Sequence, residues 1–400
     1  MDLKEPTFEN ALAFAQDLIR IPGLPGHEEA VARRVLQEME ALGLSDLRVD
    51  DAGNVVGVAR GRGAAPPALL NCHLDVVAEG AHADWEVPPF AGEVRGGFLH
   101  GRGSMDIKGP LALQTYAAAS LAGSAPGDVI VAHTVLEERG GLGMKLLLAS
   151  GTMKPGVVII GESTHGDVCN GHRGRAEVEV VISGVAGHAS APGRAHNALD
   201  LVGDVLAAVR GLAERQPSDP VLGTASVAAT MLDVFPESRN VIPDKVVVTL
   251  DWRTLPGMAD AALLASLREA LAAGLPAVPP GFRVEARVAT ERQRTWTGLE
   301  EEKSLLSPGY LMAPDHPVVH AAATAVGRRG DPSRPARVRP WTFATDGAWS
   351  SGVFGIPTVG FAPGEERFAH TNRERLDVEE ARWAFTRHPE LIAAVQLAAP

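Results

Sequence analysis

One imidazole and three carboxylates, His73, Asp106, Glu138 and Glu162, lie between positions 73 and 162 of the 400-residue chain. His73, Glu138 and Glu162 each closely follow a short apolar run: Ala68 to Cys72, Val129 to Leu136 and Val157 to Ile160. Asp106 sits instead in Gly101-Arg102-Gly103-Ser104-Met105-Asp106-Ile107-Lys108-Gly109. Glycines let a backbone turn tightly and approach a ligand closely, so a carboxylate held there is well placed to bridge two cations. This donor mixture suits zinc, manganese or cobalt, and the absence of a thiolate argues against a closed structural zinc site. Each residue also has a simpler reading. Asp106 can cap the helix that follows it. His73 and Asp75, two apart, can be a hydrogen-bonded surface pair. Glu137-Glu138 can be a solvated turn, although adjacent carboxylates at the end of a buried strand are costly unless positive charge faces them.

The elements around these residues alternate. Phe8 to Arg20, His27 to Leu42, Pro110 to Ala122 and Gly143 to Ser150 read as helices, and the apolar runs between them read as strands. Ile21-Pro22-Gly23-Leu24-Pro25-Gly26 breaks the first two helices apart. Such alternation implies a largely parallel sheet flanked by helices, with its site at the carboxyl ends of the strands. From about Gly174 the pattern changes. Ala176 to Ile182, Ser226 to Val234, Lys245 to Arg253 and Phe282 to Val288 read as strands, and His196 to Arg215 and Ala259 to Ala273 as helices, with a Pro/Gly-rich turn at 275–281. The order β-α-β-β-α-β matches a ferredoxin-like sandwich. The expected organisation is therefore one α/β domain of residues 1–173 and 290–400, interrupted by an α+β domain of residues 174–289. The last stretch carries Pro317 to Val326 as a helix, Thr345-Asp346-Gly347, Pro363-Gly364, His370-Thr371-Asn372-Arg373-Glu374 and a closing helix from Val378 to Leu397.

Composition narrows the function classes. The formal net charge is −12, which argues against nucleic acid or an anionic membrane surface as partner. Two cysteines, Cys72 and Cys169, are no disulfide framework, and both are expected reduced and buried in a cytoplasmic protein. No apolar run reaches the length of a membrane span, and no secretory signal pattern opens the chain.

His73-Leu74-Asp75-Val76-Val77, the Gly101 to Gly109 stretch, Glu137-Glu138, Gly161-Glu162-Ser163, Gly187-His188-Ala189-Ser190 and His370 to Glu374 occur in that order. Together they make the chain resemble the family of acetylornithine deacetylase, succinyl-diaminopimelate desuccinylase, aminoacylase and carboxypeptidase G, which are dinuclear zinc amide hydrolases. Gly171-His172-Arg173-Gly174-Arg175, Trp296-Thr297-Gly298 and Trp341-Thr342-Phe343 resemble a branch named for selenium-metabolism hydrolases. The resemblance implies a zinc-peptidase-like catalytic domain with an inserted lid and dimerisation domain. It implies two divalent ions, zinc first, with cobalt or manganese as alternatives. Asp106 would bridge them, His73 and Glu162 would complete one site, and Glu138 and His370 the other. Glu137 would be the general base, kept ionised by the nearby positive charge, and Asp75 would orient His73. His188 would polarise the scissile carbonyl, reaching across to a partner subunit. Asn240, Arg253 and the backbone of Gly364 would contact a substrate that carries a free carboxylate. The Asp106–Ile107 peptide would be cis. The activity implied is hydrolysis of an amide bond in an N-acyl amino acid or dipeptide-like substrate. Hydrolysis of another bond, such as a phosphoester, and a catalytically silent binding protein on the same fold are the other classes. The sequence lacks a basic, phosphate-cradling glycine-rich loop.

Overall fold

The computed structural model describes residues 3–275 and 277–400, so the turn expected over 275–281 lies partly outside the described residues, at Pro276. The chain divides into two compact units. One runs up to His172 and includes Gln293–Glu301 and Leu311–Pro400, and the other is Arg173–Arg292 with Glu302–Tyr310. The second unit takes in 302–310, which the sequence pattern assigned to the first. The reason is local: Leu306 and Ser307 pair with Ala176 and Arg175.

The first unit is built on an eight-stranded sheet. In spatial order its strands are Ser45–Val49, Val55–Ala59, Val129–Thr134, Ala68–His73, Val157–Ile160, Thr358–Gly360, Val168–Cys169 and Val338–Arg339. The three strands that precede His73, Glu138 and Glu162 are mutually parallel neighbours. They are buried at every position, so they read as continuous apolar runs rather than as alternation. Parallel pairing also puts their carboxyl ends side by side, which converts three separate sequence positions into one edge of the sheet.

The helix Lys108–Ser120 is buried along almost its whole length. It packs against the sheet and against the helices Phe8–Ile19 and Val378–Ala398. Phe8–Ile19 and Glu29–Ala41 have the apolar stripe of half-buried helices, with Phe14, Leu18, Val31, Val35 and Met39 facing the core. Cys72 and Cys169 are buried and free, as their sequence context implies.

The second unit is a four-stranded antiparallel sheet in the order Ser226–Phe235, Lys245–Thr254, Gly174–Ser183, Arg283–Val288, extended by Leu306–Ser307. In chain order this is 2-3-1-4, the ferredoxin-like arrangement. The helices Val202–Ala213 and Asp260–Gly274 close one face over Val178, Val180, Val248, Leu250 and Trp252. The first helix starts later than its pattern predicts. Residues Ala198–Leu201 form a single 3-10 turn, with Asn197 accepting from the Leu199 amide. No helix among the described residues is long and apolar enough to cross a membrane.

Candidate metal centre

Asp106 stands between two imidazoles. Its Oδ1 lies 3.3 Å from His73 Nε2 and its Oδ2 lies 3.2 Å from His370 Nε2. His73 Nε2 is also 3.3 Å from Glu162 Oε1, and His370 Nε2 is 3.1 Å from Glu138 Oε1. The five residues thus fall into two groups, His73–Asp106–Glu162 and His370–Asp106–Glu138, that share one carboxylate. The spacings are long for charge-assisted hydrogen bonds, which run at about 2.7–2.9 Å. They match the edge of a tetrahedron, roughly 3.3 Å, whose centre lies about 2.0–2.1 Å from each donor. The oxygen and nitrogen donors therefore have both the chemistry and the separations of a pair of divalent sites. Glu137 joins the first group, with ligating atoms of His73, Glu137 and Glu162 all within 4.8 Å of one another.

Burial disposes of the simpler readings. His73 is 1% and Asp75 0% exposed, so they are no surface pair. Asp106 does not cap the helix after it: the N-cap position of Lys108–Ser120 is Ile107, and no side chain caps it. The Asp106–Ile107 peptide is cis.

Each donor is held from behind. His73 Nδ1 lies 2.8 Å from the carbonyl oxygen of Asp75 and 3.5 Å from its carboxylate. The carboxylate of Asp75 is used elsewhere, accepting the amides of Glu137 and Glu138 at 3.1 Å each. Asp75 thus stands beside the imidazole with its backbone oxygen at hydrogen-bond distance and its carboxylate farther off, and its side chain also shapes the turn that bears the two glutamates. Glu374 does the same for Asp106. It is buried, accepts the amides of Met105 and Asp106 at 3.1 Å, and is gripped by Arg102 Nη1 at 2.6 Å. Farther in, Asp346 accepts from the Thr134 hydroxyl at 2.7 Å, and Asn71 donates to that hydroxyl oxygen at 3.1 Å. Sequence inspection marks Glu374 and Asp346 as parts of motifs but gives neither a task, because amide-accepting side chains have no spacing signature.

The electrostatics are those of a site suited to cations. Burial pushes Glu162 up to about 7, with Asp106 adding to the effect. Burial also raises Glu138, and raises Glu137 well above the ordinary carboxylate range. Burial thus works against the charge on Glu137, and the added positive charge expected from the ions works for it. Burial pulls His73 down, but Asp106, Asp75 and Glu162 outweigh it and hold the imidazole well above its usual value. Asp106 and then Glu138 push His370 up to about 10.

The residues expected to meet substrate are placed as follows. In the second unit, Gly187 and His188 pair with Ile242 and Val241, and the Ala189 amide donates to the Asn240 carbonyl at 3.0 Å. His188 and Asn240 are therefore neighbours. His188 is exposed, and its Nδ1 accepts from the Ser190 hydroxyl at 2.7 Å. Arg253 is not beside them. It lies eight residues, about 26 Å, along an extended strand from Lys245, opposite Arg175, and both guanidiniums hold Asp251. In the first unit, Gly364 packs against Ser163 and Met105. Its amide donates to Glu380 at 3.1 Å and its carbonyl accepts from His165 at 3.0 Å. Both polar groups of the backbone expected to serve a substrate thus already have partners within the protein.

A sheet whose carboxyl ends gather paired His/carboxylate donors defines a metallohydrolase-type centre. The model of the peptidase family M20/M25/M40 matches residues 69–387, and the chain belongs to that family. It is 31% identical over 366 residues to the uncharacterized protein YgeY of Escherichia coli (strain K12), covering 90% of this chain and 88% of that one. It is 30% identical over 270 residues to the succinyl-diaminopimelate desuccinylase of Dinoroseobacter shibae, covering 64% and 71%. The fold matches the Bacillus subtilis YXEP protein, a dinuclear metal binding peptidase from the M20 family. The TM-score is 0.70 over 98% of this chain and 99% of that one, at 18% identity. The chain is accordingly a hydrolase of a metallopeptidase family.

Proposed function

We propose that this protein hydrolyses the amide bond of a small N-acyl amino acid or dipeptide-like substrate bearing a free carboxylate. The observation that carries the reading is the Asp106 carboxylate, with one oxygen 3.3 Å from His73 and the other 3.2 Å from His370. His73, Asp106 and Glu162 would hold one divalent ion, and Asp106, Glu138 and His370 the second. Zinc suits the set, and cobalt or manganese could replace it. When bound, such ions polarise a carbonyl and acidify water.

The remaining work falls to side chains. Glu137 lies among the first group of donors, is fixed by its amide to Asp75, and is the general base that takes a proton and later delivers it to the leaving nitrogen. His188 is the donor to the carbonyl oxygen, and Asn240 beside it contacts the substrate. Arg253, remote from His188 and Asn240 along its own strand, is the cation for the substrate carboxylate from the opposite chain of a dimer, with Asp251 holding its guanidinium in place. Gly364 serves by its lack of a side chain, since a Cβ there would meet Ser163 Oγ at 2.9 Å and Met105 Cβ at 3.0 Å.

A second chain is part of the same proposal. The outer strand Ser226–Phe235 pairs on one side only among the described residues, and its Met231, Leu232 and Phe235 are exposed. An apolar strand edge invites strand-to-strand pairing, which supports a homodimer formed through this unit.

The test is amine release from a panel of N-acyl amino acids and dipeptides, with zinc- and cobalt-loaded protein and a chelator control. Chelator-sensitive release from any member supports the reading. No release across the panel, from protein holding two metals per chain, rejects the substrate class.

A further inference from the structure

The segment 21–28 begins with what looks in the sequence like a break between two helices, yet it reaches three of the turns that carry the cluster. The carbonyl of Ile21 accepts from Lys108 Nζ at 2.6 Å, two residues beyond Asp106. The carbonyl of Gly23 accepts from the Val76 amide at 2.8 Å, next to Asp75. Glu28 Oε1 accepts from the amides of Gly26 at 2.9 Å and Leu136 at 3.3 Å, the latter immediately before Glu137.

Glu28 is unusual for an acid at a helix start. Such residues ordinarily face water and meet the positive end of the helix. This one is 0% exposed and makes no capping bond to the helix Glu29–Ala41. Its second oxygen, Oε2, is buried with no hydrogen-bond partner, so the side chain serves the two amides and not an ion pair. Burial, with Asp75 nearby, pushes its carboxyl up to about 7.

The turn it grips has left the ladder of its sheet, and its amides need other acceptors. Four consecutive amides find them on three buried side chains. Val135 donates to Asn54 at 3.0 Å, Leu136 to Glu28 at 3.3 Å, and Glu137 and Glu138 to Asp75 at 3.1 Å each. Leu136 stands at φ 56, a left-handed conformation that a branched side chain adopts only when its surroundings enforce it. That reversal sets the direction in which the next side chain leaves the backbone.

We propose that Glu28 is a positioning residue for Glu137: by holding the Leu136 amide it enforces the left-handed turn that aims Glu137 at the space beside His73 and Glu162. The proposal rests on the reading of Glu137 as general base.

The test compares metal-loaded wild type, Glu28→Ala, Glu28→Gln, Glu28→Asp and Glu137→Ala for metal content, melting temperature, kcat and KM on one hydrolysed substrate. Glu28→Ala should hold two metals and keep its KM while kcat falls by about tenfold to a hundredfold, the scale expected for a misplaced catalytic group. Glu28→Gln retains an acceptor oxygen and should recover most of kcat. Glu28→Asp is one methylene short of the Leu136 amide and should fall as Ala does. Wild-type kcat in Glu28→Ala overturns the proposal, as does an equal loss of kcat in Ala and Gln. If Ala does not fold, Asp decides by the same criteria. Loss of metal or fold in both Ala and Asp makes Glu28 a structural residue and overturns it too. The two readings separate cleanly: an active Glu137→Ala removes the base assignment whatever Glu28 does, and an inert Glu137→Ala beside a fully active Glu28→Ala removes only the positioning role.

Discussion

At the scale of single residues, the centre is a set of carboxylates made uncomfortable by burial and relieved by two imidazoles. Taking one carboxylate out of water costs several kcal/mol even after relaxation, and Glu137, Glu138 and Glu162 are all raised in consequence. His73 is held well above its ordinary value and His370 rises to about 10. Both shifts favour the imidazolium form, and each imidazolium must lose a proton to become a ligand. Metal loading at pH 7 should release at least two protons per chain. Affinity should fall as pH falls, because protons then compete more strongly for the same nitrogens. Titration calorimetry in buffers of different ionisation enthalpy measures the release. A proton-neutral titration would show that the imidazoles are not protonated before the metal binds. His73, Asp106, Glu138 and Glu162 were legible in the sequence as one set from residue types and, for three of them, strand ends; their division into two groups came through the resemblance. His370, 208 residues beyond Glu162, came only through the resemblance. That the Asp75 backbone oxygen is nearer the imidazole than its carboxylate was not legible, because a side chain two residues from an imidazole is an obvious partner and a backbone carbonyl is not.

At the scale of elements, the turns matter more than the strands that lead to them. The turn after Val129–Thr134 is anchored from both ends: Asp346 accepts from Thr134, and Trp349 Nε1 donates to the Gly140 carbonyl at 3.0 Å. Gly141 closes it at φ 73, at the N-terminus of the helix Leu142–Ala149. A Cβ at Gly141 would lie 2.4 Å from Asp346 Oδ1 and 2.6 Å from Trp349 Nε1. The left-handed conformation alone costs an L-residue roughly 1–2 kcal/mol, and the crowding of a buried carboxylate adds to it. Gly141→Ala should lower stability to urea by about 2 kcal/mol or more and reduce turnover with it, since Glu137 shares the turn. An unchanged urea midpoint would mean that Asp346 and Trp349 move aside freely. Strand and helix positions followed from apolar runs and turn residues to within a few positions, with the first helix of the second unit the main displacement. There Asn197 diverts the chain into a 3-10 turn before the helix begins.

At the scale of the whole molecule, the second unit carries His188 and Asn240 side by side, and Arg253 well along its sheet. The open edge at Ser226–Phe235 makes the proposed dimer testable. Leu232→Asp places a charge on the exposed apolar edge and should convert a two-chain species to single chains in sedimentation equilibrium. If wild type sediments as one chain at micromolar concentration, the dimer is excluded. If His188 serves the partner's site, mixing Glu137→Ala with His188→Ala should restore activity. With full exchange, half the dimers are hybrids and one of the two sites in each is intact, so recovery approaches about a quarter of wild type. No recovery despite demonstrated exchange would confine His188 to its own chain or remove it from the reaction.

The sequence by itself determined the class of this protein. Residue types at strand ends point to a divalent-metal site, and the order of the motifs with an interruption of the right length carries the resemblance that implies a hydrolase of two units, because those signals are local or depend only on chain order. Only the tertiary structure decided how the donors are held. It set the Asp106 oxygens 3.3 and 3.2 Å from the two imidazoles, and it put the Asp75 carboxylate on two amides. It committed the Gly364 amide to Glu380 and brought Glu28 and Asn54 to a turn about a hundred residues away. Those contacts depend on parallel strands delivering distant turns to one edge and on where buried amides find acceptors, and neither leaves a periodic mark in the chain.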